Sequence, residues 1–297
     1  MAVSKVAVVG CGMMGRGIVE VAAAAGLQVT AIKVTPGSLE EPKAKIKESL
    51  DRRLKRGKLT PEQCQEILGR SQLSADLGAV ADAEVVVESA VEEEPAKLEL
   101  LKKIEAKMHP EAVLGTNTSS LRLEALAGGL SRPERFVGLH FFSPVPAMDL
   151  VELGGPARTA EFALQRAEAF CGQIGKTPVR IQSSPGYVVN RLLVPYLLHG
   201  IETLESGIAN ADGIDTARRL GCGHPMGPLA LSDLIGLDIV YAMAETMARE
   251  LKDPRYTIPR TLKQLFQAKQ LGRKTKIGIY DYSGEKPVLN PAIKIGR

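Results

Sequence analysis

Hydrophobic and polar positions follow two regimes along the chain. Up to about residue 183, short Val-rich apolar runs alternate with longer stretches of mixed polarity. Residues 4–10 (SKVAVVG), 27–33 (LQVTAIK), 84–89 (EVVVES), 112–116 (AVLGT) and 135–140 (RFVGLH) have the length and apolar continuity of buried strands, and 148–153 (MDLVEL) reads as a further one. Between them, residues 13–25, 39–56 and 94–108 read as helices. Gly26 ends the first as a C-cap glycine does, and Pro95 opens the third at a first-turn position. Parallel strands need such crossovers, so the alternation predicts an α/β fold with a Rossmann-like, doubly wound sheet.

Beyond residue 183 the strand signal stops. The segment 183–207, opened by Pro185 and Gly186, predicts a long helix, and 211–220, 227–250 and 259–270 predict three more. Only IGIYDY at 277–282 keeps a strand-like pattern. The expected organisation is a sheet domain over residues 1–183 and a mainly α-helical domain over 184–297, with the boundary in the loop chemistry of QSSPG.

The first strand runs into Gly10-Cys11-Gly12-Met13-Met14-Gly15, a GxGxxG spacing that opens the first helix. A strand before it and a helix after it make that spacing informative. Gly10 permits the tight turn, Gly12 lets backbone approach a pyrophosphate, and Gly15 lets the helix pack on the strand. The helix N-terminus then offers N–H groups and partial positive charge to phosphates. Residues 1–183 are therefore expected to bind a dinucleotide, with Met13 and Met14 inside the loop. The second strand ends on Lys33, where NAD-binding chains carry an acidic residue for the ribose 2′-hydroxyl. A lysine suits a 2′-phosphate, so NAD and NADP both stand as cofactors; alternatively, Lys33 points to solvent and backbone groups hold the ribose.

Composition narrows the class. Hydrophobic residues make up 44% and charged residues 24%, ordinary for a globular chain. No apolar run reaches the ~20 residues that span a bilayer, and the N-terminal MAVSKVAVVGCG lacks a signal-peptide layout. The expectation is a cytoplasmic protein without a membrane partner. Cys11, Cys64, Cys171 and Cys222 form no CxxC pair, and Cys222 with His224 has no second ligand pair nearby, so no metal is expected. The net charge of +4 is concentrated in two basic runs, at 43–58 and 251–276. Either is a solvated helix face or a site for a polyanion. The absence of Trp, the few aromatics and the lack of a recognisable motif point away from nucleic acid.

GCGMMGRGI, VVVESAVEE, GTNTSSL, GLHFFSPVP, LVEL, PGYVVNRLL, HPMGPLALSDLIGLD and GRKTKIGIYDYS stand in one order over residues 4–283. In that order and spacing the chain resembles the L-3-hydroxyacyl-CoA dehydrogenases, most of all their bacterial 3-hydroxybutyryl-CoA branch. The resemblance implies hydride transfer with NAD(P) between an L-3-hydroxyacyl and a 3-oxoacyl thioester. It also implies a second domain that dimerises and an active site in the cleft between the domains. His140 matches the family's catalytic histidine and Glu152 its partner carboxylate. Ser119 and Asn190 match residues that hold the substrate. Glu92, Lys97 and Asn117 match positions at the cofactor, and Ser49 and Arg56 match positions on a helix that meets CoA, which would give the run at 43–58 a purpose.

The chemistry agrees with those roles. Removing hydride from C3 requires a base for the hydroxyl proton, and histidine ordinarily titrates near neutral pH. A carboxylate on its other ring nitrogen fixes the tautomer. Without the resemblance, His140 reads equally as a core histidine, and Ser119 and Asn190 read as helix caps.

Lys33, Ser143, Lys276-Ile277 and His224 depart from the family's usual residues. These departures suggest a specialised member rather than a general β-oxidation enzyme, acting on acyl-CoA or on an acyl group held by an acyl-carrier protein. Oxidation of a free hydroxy acid or sugar acid and a non-catalytic dinucleotide-binding protein are the competing readings. FFSPVP and the basic helix favour a thioester over the first, and retention of Ser119, His140, Glu152 and Asn190 favours an enzyme over the second.

Overall fold

In a computed structural model, residues 2–119 and 121–294 are described. The chain divides into two compact units, residues 1–184 and 185–297.

Unit 1 is built on a sheet whose strands, among the described residues, run in the order β3-β2-β1-β4-β5-β6-β7-β8. They are β1 (Lys5–Val9), β2 (Gln28–Ile32), β3 (Ser71–Ser74), β4 (Val85–Glu88), β5 (Val113–Thr116), β6 (Phe136–Phe141), β7 (Leu150–Gly155) and β8 (Thr177–Gln182). Neighbours pair in parallel except β6 and β7, which are antiparallel. The connecting helices are α1 (Met13–Ala24), α2 (Glu40–Lys55), α3 (Pro61–Arg70), α4 (Glu94–Glu105), α5 (Leu123–Ala127) and α6 (Glu161–Gln173). Val6, Val8, Val85, Val87, Val137 and Leu139 of the strands pack with Ile18 and Val19 of α1 and Ala167 and Phe170 of α6 in one core cluster. This is the Rossmann-like doubly wound sheet expected from the strand–helix alternation.

Several elements escape the apolar pattern. The stretch 61–74 forms α3 and β3, and 161–182 contains α6 and β8. Helix α3 is opened by a capping box in which Thr60 accepts from the Gln63 amide and the Gln63 side chain accepts from the Thr60 amide. Strand β8 lies at the sheet edge with exposed and half-buried positions, so it carries no apolar run.

Unit 2 is helical: α7 (Val189–Glu205), α8 (Ala211–Cys222), α9 (Pro228–Ile235), α10 (Leu237–Leu251) and α11 (Arg260–Gln267), followed by a short antiparallel pair, β9 (Tyr280–Asp281) and β10 (Val288–Leu289). The helix expected from residue 183 begins only at Val189, because Gly186 (φ 75) and Tyr187 (φ 45) hold left-handed backbone. The helix expected over 227–250 is two helices, broken at Gly236 (φ 104). Two buried carboxylates fasten the unit. Asp215 accepts from the Leu229 and Ala230 amides and the Tyr280 hydroxyl, and Asp233 accepts from the Ile279 and Tyr280 amides. Among the described residues no helix is long and apolar enough to cross a membrane.

Candidate active site

The strand order reverses between β1 and β4, where a doubly wound sheet opens a crevice at the strand C-termini. Gly10 turns the chain there at φ 112. A Cβ on Gly10 would overlap the Ser89 carbonyl, and one on Gly15 would overlap the Gly10 carbonyl. Gly12 differs: a Cβ there would meet nothing within 4 Å. It is the N-cap of α1 and, having no side chain, supplies no cap to the first-turn N–H groups. The adjoining cavity, about 610 Å³, is walled by Gly12, Arg16, Lys33, Glu41, Ser89 and neighbouring loop residues. Close backbone, a helix N-terminus without a side-chain cap and a cationic Arg16 fit a dinucleotide's pyrophosphate. Met13 is exposed, whereas Met14 packs partly into the core. Burial pushes the Cys11 thiol pKa up from its ordinary value.

Lys33 lines this cavity but does not point to solvent. It is buried, and its ammonium donates to the Thr35 carbonyl (2.8 Å), the Thr35 hydroxyl (3.1 Å) and the Pro36 carbonyl (2.6 Å). It therefore shapes the loop at 35–36, which walls the cavity together with Glu41 of α2.

A polar network links the ends of β4, β5 and β6. Glu88, wholly buried, accepts two bonds of 2.8 Å from Lys97 and another from the Thr116 hydroxyl. Lys97 is wholly buried too, and lies 3.4 Å from Glu92. Glu92 in turn accepts from the Thr118 hydroxyl and, at 3.0 Å, from the Ser119 amide. Thus Lys97, matched by resemblance to the cofactor, is enclosed between carboxylates and reaches the Ser119 loop through Glu92. Asn117 bridges the cavity to the next strand: its amide donates to Ser89 Oγ and its carbonyl accepts from the Phe141 amide, each at 3.0 Å. Glu88 was legible only as the lone charge ending an apolar strand.

The Phe141 bond fixes β6 immediately after His140. In the antiparallel register His140 stands directly opposite Glu152, and His140 Nδ1 lies 2.8 Å from Glu152 Oε2. Both side chains are buried. The Phe142 ring packs beside the imidazole with centroids 4.4 Å apart. A buried histidine held at one nitrogen by a carboxylate is oriented to move a proton at its other nitrogen, Nε2.

Ser49 donates to Glu20, a buried carboxylate of α1 that also pairs with Arg53. The Ser49 hydroxyl thus joins α2 to α1, and Arg56 is exposed at the end of α2. Glu20 is visible in the sequence only as a charge within the apolar run IVEVAAA. Asn190 belongs to unit 2, buried in the first turn of α7. His224 Nδ1 lies 3.1 Å from the Tyr196 hydroxyl, and Cys222 Sγ lies 3.1 Å from Arg218.

Residues 5–184 match the family model described as the 3-hydroxyacyl-CoA dehydrogenase NAD binding domain, and residues 186–282 match that of the 3-hydroxyacyl-CoA dehydrogenase C-terminal domain. Among curated relatives, the 3-hydroxybutyryl-CoA dehydrogenase of Mycobacterium tuberculosis is 41% identical over 283 residues, covering 95% of this chain and 99% of the relative. That of Bradyrhizobium diazoefficiens is 38% identical over 286 residues, covering 96% and 98%. The crystal structure of the (S)-3-hydroxybutyryl-CoA dehydrogenase of Ralstonia eutropha superposes with a TM-score of 0.90 at 37% identity, covering 95% of this chain and all of that one.

Proposed function

The chain belongs to the 3-hydroxyacyl-CoA dehydrogenase family, and on that premise we propose that it interconverts L-3-hydroxyacyl-CoA and 3-oxoacyl-CoA with His140 and Glu152 as its proton-transfer pair. The observation that carries this reading is the buried 2.8 Å contact between His140 Nδ1 and Glu152 Oε2. A bound nicotinamide supplies the hydride acceptor for C3, or its donor in reverse. His140 Nε2 takes the C3 hydroxyl proton during oxidation and returns it during reduction. Glu152 holds the ring tautomer and stabilises the imidazolium. Ser119, its amide anchored by Glu92, offers its hydroxyl to the reacting oxygen, and Asn190 holds substrate from unit 2. The buried histidine–carboxylate pair favours an enzyme over a non-catalytic dinucleotide-binding protein. The curated relatives named above are CoA enzymes, which favours CoA over an acyl-carrier protein. Ser49 and Arg56 then meet the CoA moiety. The deciding assay follows NADH absorbance with acetoacetyl-CoA beside its carrier-protein thioester. The reading fails if neither is reduced with either cofactor, and faster turnover of the carrier form reverses the choice of carrier.

For the cofactor we favour NAD. Lys33 directs its ammonium into the 35–36 loop, and the Glu41 carboxylate on the cavity wall suits a ribose hydroxyl better than a phosphate. A kcat/KM with NADPH equal to or above that with NADH overturns this choice. A homodimer through unit 2 fits the exposed side chains of Leu192 (71%), Ile208 (81%) and Leu220 (78%), which would leave large apolar surfaces in water; light scattering that gives a monomer mass rejects it. The free thiols suit a reducing, cytoplasmic compartment.

A further inference from the structure

The hairpin that carries His140 and Glu152 is joined by residues 142–149, and this loop is held from outside by one cation. Lys176, in the turn after α6, is buried. Its Nζ donates to the Val145 carbonyl at 2.7 Å and to the Met148 carbonyl at 2.8 Å. The next residue, Thr177, donates its amide to the Asp149 carbonyl at 2.7 Å. Within the loop, the Ala147 amide donates to the Pro144 carbonyl at 2.9 Å, so the Lys176 contacts close an already folded turn.

The same loop touches the dinucleotide helix. Val145 is buried, and a Cβ built on Gly17 of α1 would come within 2.8 Å of Val145 Cβ and 3.6 Å of Pro146 Cδ. Ser143 Oγ lies 4.0 Å from the sulfur of Met13 at the start of α1. The loop is therefore the mechanical link between the helix opened by the glycine turn and the strand pair bearing His140 and Glu152. Backbone carbonyls in a loop have no ladder to hold them, and a buried ammonium bonded to two of them selects one loop conformation.

We propose that Lys176 is a positioning residue for the dehydrogenase reaction: by clamping the Val145 and Met148 carbonyls it sets the β6–β7 loop against α1, and so sets the His140–Glu152 pair relative to the bound cofactor. This rests on the His140–Glu152 reading above. Lys176 touches no reacting atom. Burial lowers the pKa of its ammonium, with Asp149 opposing that shift.

The test compares Lys176→Met, Lys176→Arg and Gly17→Ala with wild type, using acetoacetyl-CoA and NADH. Lys176→Met is expected to lower kcat about tenfold, raise KM for NADH and displace the apparent pKa in the pH–kcat profile, because the His140–Glu152 pair shifts as a unit relative to the bound cofactor. Lys176→Arg, which keeps a cation for the carbonyls, is expected to recover most of the lost kcat. Gly17→Ala disturbs the same loop through Val145 without touching the lysine, and is expected to raise KM for NADH and lower kcat; it decides the matter if Lys176→Met does not fold. A Lys176→Met protein with lowered Tm but wild-type kcat, KM and pH profile overturns the proposal. So does a Gly17→Ala protein that is kinetically wild type. Wild-type activity lost on His140→Gln but unaffected by Lys176→Met sinks only this inference. Activity that survives His140→Gln sinks the assignment of the pair itself.

Discussion

His140 and Glu152 occupy one register position of the antiparallel β6–β7 pair, so the sheet itself brings the imidazole and carboxylate to 2.8 Å. Nothing flexible lies between them: each is a strand residue, and each is buried. His140→Gln should lower kcat by about 10²–10⁴-fold, the usual contribution of a positioned proton-transfer group. Glu152→Gln should lower it by about 10²-fold or more, because an amide can stabilise the wrong tautomer. Residues acting as a unit are not additive, so the double variant should be little slower than His140→Gln. Steady-state kinetics at fixed pH check this, and strictly multiplicative losses would separate the two residues.

The glycine turn separates packing from binding. Gly15→Ala drives a Cβ into the Gly10 carbonyl, whereas Gly12→Ala meets no atom within 4 Å and keeps a φ of −67° that any residue adopts. Gly15→Ala should therefore lower thermal stability sharply. Gly12→Ala should change stability by only about 1 kcal/mol, the scale of an N-cap exchange, while raising KM for NADH about tenfold or more, equivalent to ~1.4 kcal/mol of lost binding. Thermal unfolding read beside NADH titration distinguishes the two. Equal effects of both variants on both readouts would contradict an open phosphate cradle at Gly12.

Thiol labelling reads the cavity without turnover. Cys222 is exposed, Cys11 is half-buried on the cavity wall, and Cys64 and Cys171 are buried. Burial pushes the Cys171 pKa up to about 12, so at pH 8 only about one molecule in 10⁴ carries its thiolate, the reactive form. A chromogenic disulfide should modify Cys222 first and Cys11 more slowly, leaving the buried pair until denaturant is added. NADH should slow Cys11 and leave Cys222 unchanged. Labelling of Cys11 unaffected by saturating NADH would place the cofactor elsewhere.

The parts of the fold legible in the sequence are those where burial is two-sided or the backbone is special. Strands β1, β4 and β6 are continuous apolar runs because both faces are covered. GxGxxG is legible because Gly10 and Gly15 are sterically required. Strand β8 is an exposed edge, and α3 announces itself only through its Thr60–Gln63 capping box, a signal present in TPEQ. Of the candidate site, His140 and Glu152 could be named from resemblance, but their contact depends on a strand register that no local pattern encodes. Lys97 and Lys33 have partners that the sequence does not show. A lysine in sequence reads as an exposed cation, whereas here one lies between Glu88 and Glu92 and the other against the Thr35 and Pro36 carbonyls. Such pairing partners are set by tertiary packing.

One departure in the sequence acquires a physical consequence at Lys276. It stands where the resembled family commonly has Gly, and its φ is 61°, a left-handed backbone at the end of a short 3₁₀ turn. That conformation costs an L side chain about 1–2 kcal/mol, and Gly adopts it freely. Replacing Lys by Gly also loosens the unfolded chain, which takes back about 0.5–1 kcal/mol. The side chain is exposed, so little packing is lost. Lys276→Gly should therefore stabilise the protein by about 0.5–1 kcal/mol, a Tm increase of a few degrees at most. Lys276→Ala keeps the strained φ and should gain nothing. Differential scanning of the three proteins, with NADH kinetics as a control for unit 1, checks the expectation. A Gly variant no more stable than the Ala variant would show that the left-handed turn at Lys276 stores no strain.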